Sequence, residues 1–320
     1  MKGNNLWKMG GILIIILILV GVLFFSQNKE NREVIRIGYL PITASLPLFI
    51  AQEKGYFTEQ GLNVELVKFE TSNQVIDSLV REDISVEAGT SSFVTLTALQ
   101  TESNSIKVFM VNSFTENSSI SSLIINENSE IKEVQELKGK KIGSYPGSTM
   151  KTYTRLFLEK NNAFDENTQI IELAQNLQLP ALSSGSIDAL LTLEPTPTIG
   201  EFNGISKVLI SAPIETDVLT PWVAGTFSFN SDFSKTDNSK KIEMAFSKAV
   251  DFMRENPKDS KKFFIEYTAI TDESLADKVP LPNTLKKGEI NKDEFQEMSD
   301  LLLKEGILTK RVEVNLIIED

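Results

Sequence analysis

Short apolar runs rich in β-branched residues alternate with amphipathic segments along most of the chain. Val34 to Leu40 is the first such run and predicts a strand, ended by Pro41. Ser45 to Lys54 predicts a short helix, with Gly55 placed to close it. Leu62 to Phe69 sets Leu62, Val64, Leu66 and Phe69 against Asn63, Glu65 and Lys68, and predicts a second strand. Asn73 to Arg81 predicts a helix with Val75, Ile76, Leu79 and Val80 on one side. Ile84 to Ala88 predicts a third strand, followed by the polar run Gly89-Thr90-Ser91-Ser92. Phe93 to Gln100 predicts a helix and Lys107 to Asn112 a fourth strand.

The pattern then restarts. Strands are predicted at Ser122 to Asn126, Lys140 to Ser144, Thr168 to Leu173 and Ala189 to Thr192. Helical segments are predicted at Glu130 to Leu137, Ser148 to Asn161 and Leu179 to Ser184, and Pro195 is placed to open another. Trp222 to Phe229 predicts a strand that crosses between the two blocks. Ser239 to Asn256 predicts a long helix with Ile242, Phe246, Ala249, Val250 and Met253 on its apolar face. Ser260 to Tyr267 and Lys292 to Glu305 predict further helices, the last stopped by Gly306. Strands alternating with helices predict an α/β fold with parallel sheets, and two such blocks predict two lobes. Leu79 to Ser92 and Ala181 to Pro195 repeat one grammar: helix end, polar turn, strand, polar cluster.

The first thirty residues break this pattern. Gly10 to Phe25 is continuously apolar or small, and no charge falls between Lys8 and Lys29. Such a stretch is long enough to span a hydrocarbon core as a helix. Lys2 and Lys8 before it predict a cytoplasmic N-terminus. A cleaved signal peptide is the other reading, but Phe24 to Asn28 lacks a small-x-small cleavage pattern. The expectation is an uncleaved single-span anchor with a short tether, residues 1–33, and a binding domain on the extracytoplasmic side.

Composition narrows the chemistry. The 320 residues carry a formal net charge of −12, which argues against a nucleic-acid partner. There are 0 Cys and 0 His. That excludes Cys/His zinc sites, Fe–S clusters, disulfides, thiol nucleophiles and imidazole bases. No catalytic residue, metal or cofactor is expected.

Four polar stretches stand where strands give way to helices: Thr43-Ala44-Ser45, Thr90-Ser91-Ser92, Asn112-Ser113 and Gly147-Ser148-Thr149. A helix start exposes backbone N–H groups and the positive end of the helix dipole, which attract an anion or carbonyl oxygen. Ser148 and Thr149 add hydroxyls. Plain N-capping is the alternative for each stretch. Trp222 either stacks on a flat ligand or packs the hinge. Arg155 is placed for a surface ion pair.

At "PLFIAQEKGYFTEQGLNVEL", "ELKGKKIGSYPGST", "SSGSIDALLTLEP", "ENPKDSKKFFIEYTAITDES" and "LLLKEGILTKRVEV" the chain resembles the solute-binding proteins of ABC importers for nitrate, sulfonates, taurine and thiamine-pyrimidine precursors. The resemblance implies a two-lobed periplasmic-binding-protein-like fold of type II, with a ligand cleft and a two-strand hinge, here preceded by one transmembrane helix. It places lobe 1 at 34–115 and 220–320 and lobe 2 at 116–219. It implies a monomer that binds a small polar organic or anionic ligand and delivers it to a permease with its ATPase. The ligand-binding residues implied are Thr43, Ala44, Thr90, Ser91, Ser92, Ser113, Ser148, Thr149, Glu194 and Trp222. Glu194 faces the cleft in the family picture, although a carboxylate beside Pro195 also suits a helix start. The chain departs from the family pattern at Ser85, Glu87, Leu193 and Thr149 to Lys151. Glu87 stands where a small residue is common and is not expected to touch ligand. An enzyme of the same fold and a ligand-sensing ectodomain are the competing readings.

Overall fold

The apolar runs become strands of two mixed sheets. In chain order the strands are β1 (Val34–Tyr39), β2 (Asn63–Lys68), β3 (Val86–Ser91), β4 (Ile106–Phe114), β5 (Ser121–Asn126), β6 (Lys141–Ser144), β7 (Gln169–Glu172), β8 (Ala189–Leu193), β9 (Ser206–Ser211), β10 (Trp222–Asn230) and β11 (Thr284–Lys286). The computed structural model describes residues 33–318, and from Ile35 onward these form one compact unit. The apolar segment Gly10 to Phe25 lies outside the described residues. Among the described residues no helix is long and apolar enough to cross a membrane.

The first sheet is ordered β2-β1-β3-β10-β4-β11 and the second β7-β6-β8-β5-β9. Apart from the edge strand β11 the two orders match position for position. Strands β3 and β8, which carry the repeated grammar seen in the sequence, hold the same place in their sheets. The sheets are not purely parallel, as the alternation of strands and helices predicted. Strand β10 runs antiparallel to β3 and β4, and β5 runs antiparallel to β8 and β9. Each is the first strand after the chain passes from one sheet to the other. It enters at the edge where the parallel strands end, so it has to run back against them.

The helices used below are α1 (Leu46–Glu53), α2 (Ser72–Val80), α3 (Ser92–Leu99), α4 (Ser148–Lys160), α5 (Gln175–Ser183), α6 (Thr196–Phe202), α7 (Pro213–Asp217), α8 (Asp237–Glu255) and α9 (Lys292–Lys304). Helix α8 starts where the Thr236 hydroxyl accepts the Ser239 N–H at 3.4 Å. Its predicted face, Ile242, Phe246, Ala249, Val250 and Met253, is buried against the first sheet. There Phe109 and Phe229 stack at 4.2 Å and Phe246 meets both Phe109 and Phe227 edge-on. Each such ring contributes roughly 1.5–3 kcal/mol by leaving water.

Among the strands and the helices named above, β9, α7 and β11 escaped the sequence pattern. Strand β9 is half-buried along most of its length and bounded by serines, so its alternation is weak. The single helix predicted over Ser260 to Tyr267 is two short ones, Pro257–Lys261 and Phe264–Tyr267. Helix α5 starts four residues earlier than predicted and holds Pro180 inside it.

A second apolar cluster runs through both sheets at the passage between them. Phe93 of α3 meets Tyr153 of α4 edge-on at 5.8 Å, Tyr153 meets Trp222 at 5.6 Å, and Phe114 meets Trp222 at 6.2 Å. The passage is pinned by one fully buried carboxylate, Glu215 of α7. It accepts the N–H groups of Ile120 at 3.0 Å and Ser121 at 3.3 Å, and the Ser121 hydroxyl. Glu215 precedes the chain's return to the first sheet, whereas Ile120 and Ser121 complete its departure. One side chain therefore ties both passages together.

Candidate functional site

Every parallel strand near the passage ends at the same cleft, and the segments that follow them wall a cavity of about 60 Å³. Ile42 and Ala44 follow β1, Glu70 to Asn73 follow β2, and Ser91 ends β3. From the other sheet, Tyr145 to Gly147 follow β6, Thr149 and Met150 open α4, and Leu193 ends β8. Ile120, Trp222, Ala224 and Gly225 come from the passage itself. This is where open α/β sheets place ligands, beyond the carboxyl ends of their strands.

The walls are mainly apolar: Leu40, Ile42, Ile120, Met150, Leu193 and Trp222. The polar groups lie where two helices begin. Ser91 is the N-cap residue of α3, yet its hydroxyl makes no bond to the α3 backbone. It pairs instead with the Thr149 hydroxyl at 3.0 Å, across the cleft. Helix α4 begins after Gly147, which has φ +103° and no side chain to offer. The Gly147 N–H donates to Glu172 at 3.0 Å; that bond, and then Lys151, hold the Glu172 carboxyl below its usual range. Helices α3 and α4 thus both present first turns without a side-chain cap. Uncapped N–H groups and the positive dipole ends favour a negative or carbonyl oxygen between them. Among the described residues no Lys or Arg lines the cavity.

Of the ten residues implied by the sequence, Ala44, Ser91, Thr149 and Trp222 meet at this cavity. The other six are not on its wall. Thr90 bonds to Glu87. The Ser92 hydroxyl donates to the Val223 carbonyl. Ser113 is paired through its backbone with Asn283. Ser148 is the first residue of α4, not its cap, and is exposed. Thr43 is buried with its hydroxyl unpartnered, as is one carboxylate oxygen of Glu194. The hydroxyl-rich pocket expected from the sequence is thus an apolar chamber with a polar rim, because most of the hydroxyls serve buried backbone or carboxylate groups. Arg155 makes its surface ion pair with Glu159 at 3.0 Å. The segment Glu70 to Asn73 was missed. Its signal was the same as elsewhere, a polar run between a strand and a helix, and Thr71 with Gln74 forms a capping box there.

The comparisons with known proteins bear on this geometry. A family model described as NMT1/THI5 like matches residues 42–260, which include all the cavity-lining residues except Leu40. The chain belongs to the NMT1/THI5-like family. A Bacillus subtilis (strain 168) protein, provisionally named an aliphatic sulfonates-binding protein, is 24% identical over 327 residues, covering 95% of this chain and 94% of its own. Among solved structures, the periplasmic aliphatic sulphonate binding protein SsuA from Escherichia coli aligns with a TM-score of 0.71 at 18% identity, covering 90% of this chain and 92% of that one. The periplasmic nitrate-binding protein NrtA from Synechocystis PCC 6803 aligns with a TM-score of 0.67 at 15% identity, covering 90% and 85%. These structural likenesses carry the two-sheet fold of the family.

Two buried carboxyls in this family member are held near neutrality. Burial pushes Glu87 and Glu194 each up to about 7, against hydrogen bonds from Ser228 and Thr90 in the first case and from Thr198 in the second. Between their ordinary value and about 7 the native state keeps these protons and the unfolded chain has released them. Stability therefore falls as pH rises through that window and levels off above it, by up to roughly 3 kcal/mol per carboxyl. Urea unfolding at pH 5 and pH 7.5 is expected to show this decline, and Glu194→Gln is expected to lose its share. A Glu194→Gln variant with the wild-type slope would mean that Glu194 is ionised in the native protein.

Proposed function

We infer that this protein is the solute-binding component of an ABC importer on the extracytoplasmic side. It captures a small organic anion of the sulfonate class by closing its two lobes, 34–115 with 220–320 and 116–219. The observation that carries the reading is the Ser91–Thr149 contact, where the uncapped starts of α3 and α4 face one chamber from opposite sheets. An anionic head group fits that polar rim, and a short hydrocarbon body fits the walls of Leu40, Ile42, Met150 and Leu193. The family membership and the full-length Bacillus relative support the same reading. Thr149 and Ser91 would donate to the head group and Trp222 would cover the body. Glu194, Thr43, Thr90, Ser92, Ser113 and Ser148 would shape the site from behind or beside it.

Calorimetric titration tests this reading with ethanesulfonate and nitrate. Ethanesulfonate is expected to bind more tightly, because nitrate leaves the apolar walls unfilled. Thr149→Ala is expected to weaken ethanesulfonate binding by about three-fold to a hundred-fold, the range for losing one hydrogen bond to a neutral or a charged group. Binding of neither anion, or equal affinity of Thr149→Ala and wild type, would overturn the assignment.

The apolar segment Gly10 to Phe25 is read as a membrane tether that keeps the binding domain beside its permease. The native protein should fractionate with membranes and retain its N-terminus. A mature N-terminus near residues 26–34 would replace the tether with a cleaved signal.

A further inference from the structure

One buried acid takes no part in the site just described. Glu87 is the second residue of β3 and is fully buried. Its neighbours Val86 and Ala88 pack under α1 and α8, so strand alternation turns Glu87 to the opposite face of the sheet. One carboxylate oxygen accepts both the N–H of Thr90 at 3.1 Å and its hydroxyl at 2.5 Å. The other accepts the hydroxyl of Ser228, its cross-strand partner on β10, at 2.6 Å. Thr226 of β10 also donates toward it and is linked to Thr95 of α3 at 2.9 Å.

These donors surround a break in the ladder. Strand β10 pairs Thr226 with Thr90 and Phe227 with Ala88, leaving Gly89 as a bulge with φ +78°. A side chain there would come within 2.6 Å of the Ala44 carbonyl oxygen, so only glycine lets this turn meet the turn that follows β1. A bulge frees backbone groups that the ladder would otherwise pair. Glu87 takes up the N–H of Thr90, the residue next to Ser91.

Among the described residues no cation balances the carboxylate. Strand β1 carries Arg36 and Tyr39, but Arg36 is exposed and tied to Glu65, and Tyr39 packs on the other face. Helix α2 carries Asp77, which is exposed, and neither α3 nor β10 carries an ionisable side chain. Helix α9, which packs on β10, buries Phe295, Met298, Ser299 and Leu302. The groups facing Glu87 are all neutral donors.

We propose that Glu87 is a positioning residue for the ligand cleft: its carboxylate clamps the Gly89–Thr90–Ser91 turn to β10 and so sets the Ser91 hydroxyl against Thr149 of the opposite lobe. An ionised carboxylate holds such donors about twice as strongly as a neutral acid. Burial without a cation places its ionisation near 7. The closed, ligand-ready arrangement is the one with fewer protons on Glu87, so closure strengthens as pH rises through that value.

The contact is tested without ligand, by following backbone amide resonances of the full chain from pH 5 to pH 9. The Thr90 and Thr149 amides are expected to shift with a shared midpoint near 7 in wild type and to stay fixed in Glu87→Gln, while the Ile37 amide, one strand away, moves in neither. A fixed Thr90 or Thr149 resonance in wild type overturns the proposal, and so does the same titration in Glu87→Gln. Glu194→Gln, which removes the other carboxyl held near 7, is expected to leave both titrations in place, and loss of the Thr90 and Thr149 shifts in that variant overturns the proposal.

The consequence for affinity rests on the solute-binding reading. Ethanesulfonate is expected to bind Glu87→Gln about three- to ten-fold more weakly than wild type at pH 8.5, and equally at pH 5.5. Equal affinity at both pH values overturns the coupling. A wild-type chain that shows the titration yet binds no ethanesulfonate refutes the sulfonate assignment and leaves the role of Glu87 standing.

Discussion

Two strands enter their sheets backwards, and the rest of the molecule follows from that constraint. Strands β5 and β10 each leave one sheet and run as interior strands of the other. An interior strand is bonded on both sides, so neither passage can be lost without opening a sheet. The remaining strands near the passage must then run toward it and end there. The cavity, the uncapped starts of α3 and α4 and the aromatic group of Phe93, Tyr153, Trp222 and Phe114 all lie at that junction. Glu215 binds the departing and returning segments to each other, so the two sheets are joined through one short region.

On the proposed reading this is an anion site whose walls, among the described residues, include no cation. A guanidinium in a chamber walled by leucine, isoleucine and methionine would need a partner whenever ligand was absent. Helix starts and hydroxyls are partial charges built into the fold, and they carry a smaller desolvation cost. In the structure the Ser91 and Thr149 hydroxyls satisfy each other. On that reading, a head group inserted between them would exchange one neutral hydrogen bond for charge-assisted ones, which would give closure a reason to accompany binding.

Much of this was legible in the sequence, and the gaps have physical causes. The strand Val34–Tyr39 showed as a β-branched run ended by Pro41, and the helix Asp237–Glu255 showed through the apolar face it buries. Strand β9 is half-buried with little alternation, and β11 is three residues long, so neither left a pattern. The reversed direction of β5 and β10 is not encoded locally; it depends on which sheet each joins. At the site, Ser91 and Thr149 were identified from their place between strand and helix. Thr90 and Ser92 share that place, yet their hydroxyls turn to Glu87 and to the Val223 carbonyl. A partner 131 positions away, as for Ser92, cannot be read from a local motif. Glu87 stood out as a departure from the family pattern, but its bonds to Ser228 and to the turn at Gly89 became visible only in the fold.

On the proposed reading, a ligand seated between Ser91 and Thr149 draws the two lobes together around it. The chain has 0 Cys, so a pair of introduced cysteines can be spin-labelled without removing any native one. Asp77 on α2 and Lys151 on α4 are exposed and lie on opposite sides of the cleft. Pulsed electron spin distance measurement on the Asp77→Cys, Lys151→Cys protein is predicted to give a shorter, narrower distribution with saturating ethanesulfonate than without it. An unchanged distribution, at a concentration where calorimetry shows the site to be filled, would contradict capture by closure.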